Sequence, residues 1–344
     1  MDGKGRMVTI ARVMAALAFA LLIGTGAAPR GVAQAAAPRD LFPIHQDGKF
    51  GYIDQTGAVV IPPRFTAAFS FAEGRAAIEE GDKAGYIDER GVPVIPPQFE
   101  FGAFAFHEGL AAVRLNGMWG YIDASGALVI PPRFADADDF HEGLAAVRLG
   151  CFYGFIDHTG AFVISSRFDF AGAFSEGLAP ILDGTKMGYI DASGALVIPP
   201  RFDNALAFSQ GLAAVVLDGK WGYIDPSGTF VIPARYDNSK EEADEGRFSD
   251  GLAAVPTDGR WGYIDRTGTP VIPARYEATS PFVEGLAKVR IDSKWGYIDE
   301  TGAQVIGPQF DFAAPFSHGL AYVTMDRTDG YVDRTGHFVW QQTQ

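Results

Sequence analysis

The chain has 344 residues, 47% of them hydrophobic, and a formal net charge of −14. It is too apolar for a disordered chain and long enough for one large repeat array or two ordinary domains. The acid excess repels phosphate backbones and anionic lipid surfaces, so neither nucleic acid nor a negatively charged membrane is an expected partner.

At the N-terminus, Lys4, Arg6 and Arg12 flank an uninterrupted apolar run from Val13 to Ile23, and Ala33-Gln34-Ala35 offers a small-residue cleavage site. This is the pattern of a secretory signal over residues 1–35. The run is short for a membrane span, so no stable span is expected after cleavage, although the basic flank would serve an uncleaved anchor equally well. The expected location is periplasmic or secreted. Residues 36–40 read as a short leader, and an array fills 41–344. The single cysteine, Cys151, allows no intramolecular disulfide, so stability must come from packing. It stands where other units place a turn glycine (Gly117, Gly219, Gly259), which points to exposure.

The array announces itself by period. Nine glycines, Gly51, Gly85, Gly120, Gly154, Gly188, Gly222, Gly262, Gly296 and Gly330, recur every 34 or 35 residues, with one interval of 40. Such a period marks repeated supersecondary units that bury their faces by stacking. In the unit starting at Leu110, Leu110 to Leu115 has strand character and Asn116-Gly117 is a strong hairpin signal. Trp119 to Asp123 is a second strand, Asp123-Ala124-Ser125-Gly126 a turn, and Ala127 to Ile130 a third strand. Pro131-Pro132 is expected to end it, because proline brings no N–H to a ladder. A connection, Arg133 to Gly143, leads to the next unit and has room for a single helical turn at most.

Aspartates such as Asp54, Asp123 and Asp225 open the second turn of every unit, and glycine closes it three residues later. A carboxylate there accepts a local N–H, and glycine permits positive φ. Arginines (Arg64, Arg133, Arg167, Arg201, Arg235, Arg275) follow the prolines, and acids (Glu73, Glu108, Glu142, Glu176, Glu284) close the connection. This recurrence suggests an Arg–Glu pair pinning each connection. The aromatic before each leading glycine includes Trp119, Trp221, Trp261 and Trp295. These rings are either inter-unit core or an exposed ladder for a polysaccharide or extended peptide.

One unit is longer by six residues around 239–246, adding Glu241, Glu242, Asp244 and Glu245, a candidate acidic binding loop. His107-Glu108 and His141-Glu142 occupy equivalent positions in adjacent units, so stacking should bring the histidines together. Two His with two Glu would suit zinc by type, but no second histidine stands at helical spacing, and no metal is expected. No nucleophile elbow, phosphate-cradling loop or dinucleotide fingerprint appears. The chain is therefore expected to bind rather than catalyse and to need no cofactor.

The pattern G-Y-I-D-x-[ST]-G-x-x-V-I-P-P, with Lys220-Trp221-Gly222 and Lys294-Trp295-Gly296, resembles the WG (KWG) repeat of bacterial proteins over about residues 41–340. The resemblance implies an extracytoplasmic all-β repeat protein without common catalytic residues. Read as nine three-stranded antiparallel meanders, the units suggest an open superhelical array, since propeller blades usually have four strands and number four to eight. Stacked at ~10 Å, nine would span ~90 Å. A closed β-propeller is the alternative. The expected function is a protein–protein interaction scaffold; the alternative is cell-wall or exopolysaccharide binding through the aromatics.

Overall fold

The computed structural model describes residues 40–100, 102, 105–237 and 246–342. The segment expected to be a secretory signal, residues 1–35, lies outside them. Nine antiparallel sheets follow one another along the chain: blade 1 (42–65), blade 2 (67–99), blade 3 (110–134), blade 4 (136–168), blade 5 (170–202), blade 6 (204–237), blade 7 (252–276), blade 8 (278–310) and blade 9 (312–341). No described helix is long and apolar enough to cross a membrane.

The core lies between the blades rather than within them. At the junction of blades 3 and 4, Tyr121, Ile130 and Phe134 pack against Phe140, Val147 and Ile156, all buried. Each junction repeats this arrangement, and the last joins the chain's two ends. Leu320 and Tyr331 of blade 9 cluster with Phe42, Ile44 and Ile53 of blade 1.

A single hydrogen bond shows that the ring is closed. The Tyr121 hydroxyl donates to the carbonyl of Asp138, 17 residues on and in the next blade, at 2.7 Å. Tyr52, Tyr189 and Tyr297 do the same to Phe69, Leu206 and Ala314. Tyr331 lies in the last described blade, and its hydroxyl donates to the Pro43 carbonyl of blade 1 at 2.8 Å. The molecule is a nine-bladed β-propeller, which overturns the open superhelical array expected from the sequence. An open array would leave the Phe42 and Tyr331 faces in water, and burying an aromatic of this size contributes about 2 kcal/mol.

Two details misled the strand count. Six sheets carry a fourth strand of only two residues, such as Asp136–Ala137 and Phe170–Ala171, taken from the connection. The third long strand also runs through its prolines, from Leu128 to Phe134 in blade 3. Tyr121 pairs with Ile130 and Trp119 with Phe134, so Pro131-Pro132 form a bulge rather than an end. That strand is the edge of its sheet, where a missing N–H costs no ladder bond and protects against edge-to-edge pairing. The bulge explains the leading glycine. A Cβ on Gly120 would stand 2.5 Å from the Ile130 carbonyl oxygen.

Candidate functional site

Both turn types form as their residues dictate. Asn116 and Gly117 adopt φ of 52° and 77°, the double positive φ of a two-residue hairpin. Asp123 Oδ1 accepts the Ser125 amide at 2.8 Å, the Ser125 hydroxyl at 2.6 Å and the Ala127 amide at 3.1 Å. The Ser125 hydroxyl, then the Ser125 amide, hold that carboxyl below the usual aspartate range.

The arginines do not pair with the glutamates of their own connection. Arg133 Nη2 donates to the Gly160 carbonyl of the next blade at 2.6 Å, while its guanidinium lies 5.0 Å over the Phe134 ring. Arg167, Arg235 and Arg275 repeat the bond at 2.7, 2.9 and 3.0 Å. The glutamates serve a different link. Glu108 accepts the Gly143 amide of the next blade at 3.0 Å, Glu142 that of Gly177 at 3.0 Å, and Glu176 that of Gly211 at 2.8 Å. Arginine and glutamate thus form two separate belts of inter-blade ties, so their recurrence is structural.

The four tryptophans divide. Trp221 and Trp261 are buried at 8% and 9% exposure in the cores on either side of blade 7's first strand. Trp119 and Trp295 are half-buried and pack against the cores of their own junctions. Lys288 Nζ stands 4.5 Å above the Trp295 ring. Two of the four rings are therefore withdrawn from any exposed ladder. Glu241, Glu242, Asp244 and Glu245 lie outside the described residues.

The histidines meet as their equivalent positions require. The His107 and His141 rings are 5.6 Å apart, and His107 Nε2 is 3.5 Å from Asp139 Oδ2. His158 Nε2 lies 3.2 Å from Glu108 Oε2, with its ring stacked on Phe140 at 4.3 Å. Among the described residues no group of three or more His, Cys, Asp or Glu is arranged to hold a metal ion.

Sequence reasoning missed an apolar patch on the hairpin face. Most blades place a cation just after the hairpin turn (Lys49, Lys83, Lys186, Lys220, Arg260, Lys294), and several pair with an acid. Lys186 meets Asp203 and Lys220 meets Asp237, both at 2.6 Å. In blades 3 and 4 the same position holds Met118 and Phe152, 42% and 45% exposed. Leu149 lies opposite Phe152 at 44% exposure, and Cys151 between them is also exposed. The signal was available in sequence as the loss of a repeated lysine at two successive units.

Among solved structures, a eukaryotic initiation factor matches with a TM-score of 0.61 at 11% identity, over 88% of this chain and 96% of that one. This likeness concerns the fold alone. BamB from Moraxella catarrhalis matches with a TM-score of 0.44 at 13% identity, over 83% of this chain and 97% of that one. Hsv2 from Kluyveromyces lactis matches with a TM-score of 0.43 at 10% identity, over 79% and 94%. No curated protein sequence matches. The family model for the WG containing repeat matches eight times between residues 50 and 327 (50–83, 85–119, 119–150, 153–184, 187–221, 221–261, 261–295 and 295–327), and the chain belongs to that family.

Proposed function

We propose that this propeller is a non-enzymatic scaffold, working outside the cytoplasm, that takes a protein partner on the hairpin face of blades 3 and 4. The observation carrying this reading is the replacement of the repeat's cation by exposed Met118 and Phe152, beside Leu149 and Cys151, at the position where blades 5 and 6 place the pairs Lys186–Asp203 and Lys220–Asp237. A cluster of exposed apolar side chains on a soluble-type surface marks a contact site, and interface centres favour Met and aromatic residues over lysine. The alternative, polysaccharide binding on an aromatic ladder, needs exposed rings, and Trp221 and Trp261 are buried.

The test restores the repeat's own residue. Met118→Lys with Phe152→Lys is expected to keep the melting temperature and to abolish capture of a protein partner from envelope extract. Retained capture, or no reproducible partner for the wild type, defeats the reading. Tryptophan emission that becomes protected when envelope polysaccharide is added would favour the alternative.

A further inference from the structure

The junctions between blades are built to one plan, and one of them departs from it in charge. At the junctions 5/6, 6/7 and 7/8 a serine ties the blades. Ser175, Ser209 and Ser249 donate their hydroxyls to the carbonyls of Phe208, Phe248 and Phe282 at 2.8, 2.7 and 2.6 Å. At junction 3/4 the equivalent residue is His107, which turns instead to Asp139. Two residues that are apolar or small elsewhere (Gly172 and Ala173, Leu206 and Ala207) are here Asp138 and Asp139. With Asp136 they place three carboxyls within four residues.

We infer that the junction between blades 3 and 4 is a pH-responsive joint, loosened as its clustered carboxyls become charged. The groups facing the cluster can be named from each element. Asp138 faces Asp136 and Asp139 on its own segment, and its carbonyl accepts the Tyr121 hydroxyl. Asp136 Oδ2 accepts the Tyr153 hydroxyl at 2.6 Å. Asp139 faces His107 at 3.5 Å and lies close to Tyr86 and Tyr121, while its Oδ1 is buried without a hydrogen-bond partner. His141 faces His107, Glu108 and Glu142, and Glu108 in turn meets His158. His107 is the basic group beside Asp139, while Arg148 stands opposite Asp136 in the ladder and acts on Tyr153, whose hydroxyl Asp136 accepts.

The titration directions agree with that geometry. Asp138 is exposed on one side, and the protein packed on its other side, followed by Asp139 and Asp136, raises its carboxyl above the usual aspartate range. Burial pushes Asp139 up to about 6, with His107 opposing. Both carboxyls therefore bind a proton more tightly in the fold than in the unfolded chain. Their stability is complete below the ordinary aspartate range and is lost as pH rises through about 6. His141 runs the other way: burial, then His107, lower its pKa. Its stability is present above the ordinary histidine value and is lost as pH falls through the lowered one. The carboxyls and His141 act in opposite senses, and on the alkaline side the carboxyls decide, so the joint loosens as pH rises through about 6.

The experiment is hydrogen exchange on the whole protein at pH 5.5 and 8.0, corrected for intrinsic exchange. It reads peptides containing the Gly143 amide, which crosses junction 3/4, against the Gly211 amide, which crosses junction 5/6. A carboxyl raised by one unit or more changes the opening equilibrium about tenfold or more. Protection around Gly143 is expected to fall by about that factor at pH 8.0 while Gly211 holds. Asp138→Asn with Asp139→Asn should abolish the difference and leave Gly143 protected at both pH values. Should the double variant fail to fold, Asp139→Ala, using the residue blades 5 and 6 carry there, should reduce the difference. Equal protection of Gly143 at both pH values, an equal loss at Gly211, or an undiminished difference in the variants would overturn the proposal.

Discussion

The junction between blades 9 and 1 and the junction between blades 3 and 4 perform the same task with different means. Inside the ring, the backbone runs from blade to blade, so a junction that opens is still held by its connection. Between blades 9 and 1 no chain crosses, and neither blade lends the other a strand: each is built wholly from its own end of the sequence. One aromatic pair crosses the seam, and two further rings brace Tyr331 from within blade 9. Tyr331 meets Phe42 at 5.5 Å, Tyr322 at 5.5 Å and Trp340 at 6.5 Å. Gln55 donates to the His318 carbonyl at 3.1 Å and to Asp40 at 2.9 Å, and His318 Nε2 lies 3.5 Å from Asp40. The same repeat chemistry can therefore close a ring without a shared strand.

The turn glycines put this to the hardest test. A Cβ on Gly57, at φ +83°, would run into the Val339 carbonyl group of blade 9. On Gly126, at φ +84°, it would meet only Ile95 side-chain carbons at 3.1 Å. Backbone cannot yield as a side chain can. Gly57→Ala should therefore cost about 3 kcal/mol and Gly126→Ala about 1–2 kcal/mol by denaturant unfolding. Equal costs would mean that the seam is no more rigid than an inner junction.

The tyrosine bonds sharpen the comparison at smaller scale. Tyr331→Phe and Tyr121→Phe each leave a carbonyl without its donor and should each cost about 1 kcal/mol. Only Tyr331→Phe should raise hydrogen exchange in blades 9 and 1 together, because only there does no connection hold the blades. At the lower end, Lys186→Ala removes an exposed pair with Asp203 and should leave the melting temperature unchanged within error.

What could be seen in the sequence was whatever a single unit decides for itself. The Asn116-Gly117 hairpin and the Asp123 turn depend on neighbours a few residues away, and each stands as read. The meeting of His107 and His141 needed only the idea that equivalent positions stack. The remainder depends on what lies across a junction. Arg133 finds its acceptor 27 residues on, in another blade, and no local pattern distinguishes that carbonyl from the nearby glutamate. Ring and open array share every local contact and differ only in the angle between successive sheets. That angle is summed over nine junctions, and it is read only where Tyr331 reaches Pro43. In sequence Pro131-Pro132 read as a stop, because the loss of a ladder donor does not reveal that this strand is the outer edge.

Because every blade is cut from one unbroken stretch of chain, the two ends of the ring form a joint much like the others. New termini placed at an exposed hairpin, with residues 40 and 342 joined by a linker, would give a rearranged gene encoding the same circle. Removing or adding one 34-residue unit would take out or insert a whole blade rather than halves of two. The number of blades is thus a property of the tilt at each junction, open to change by simple duplication, and is not locked in by strand exchange.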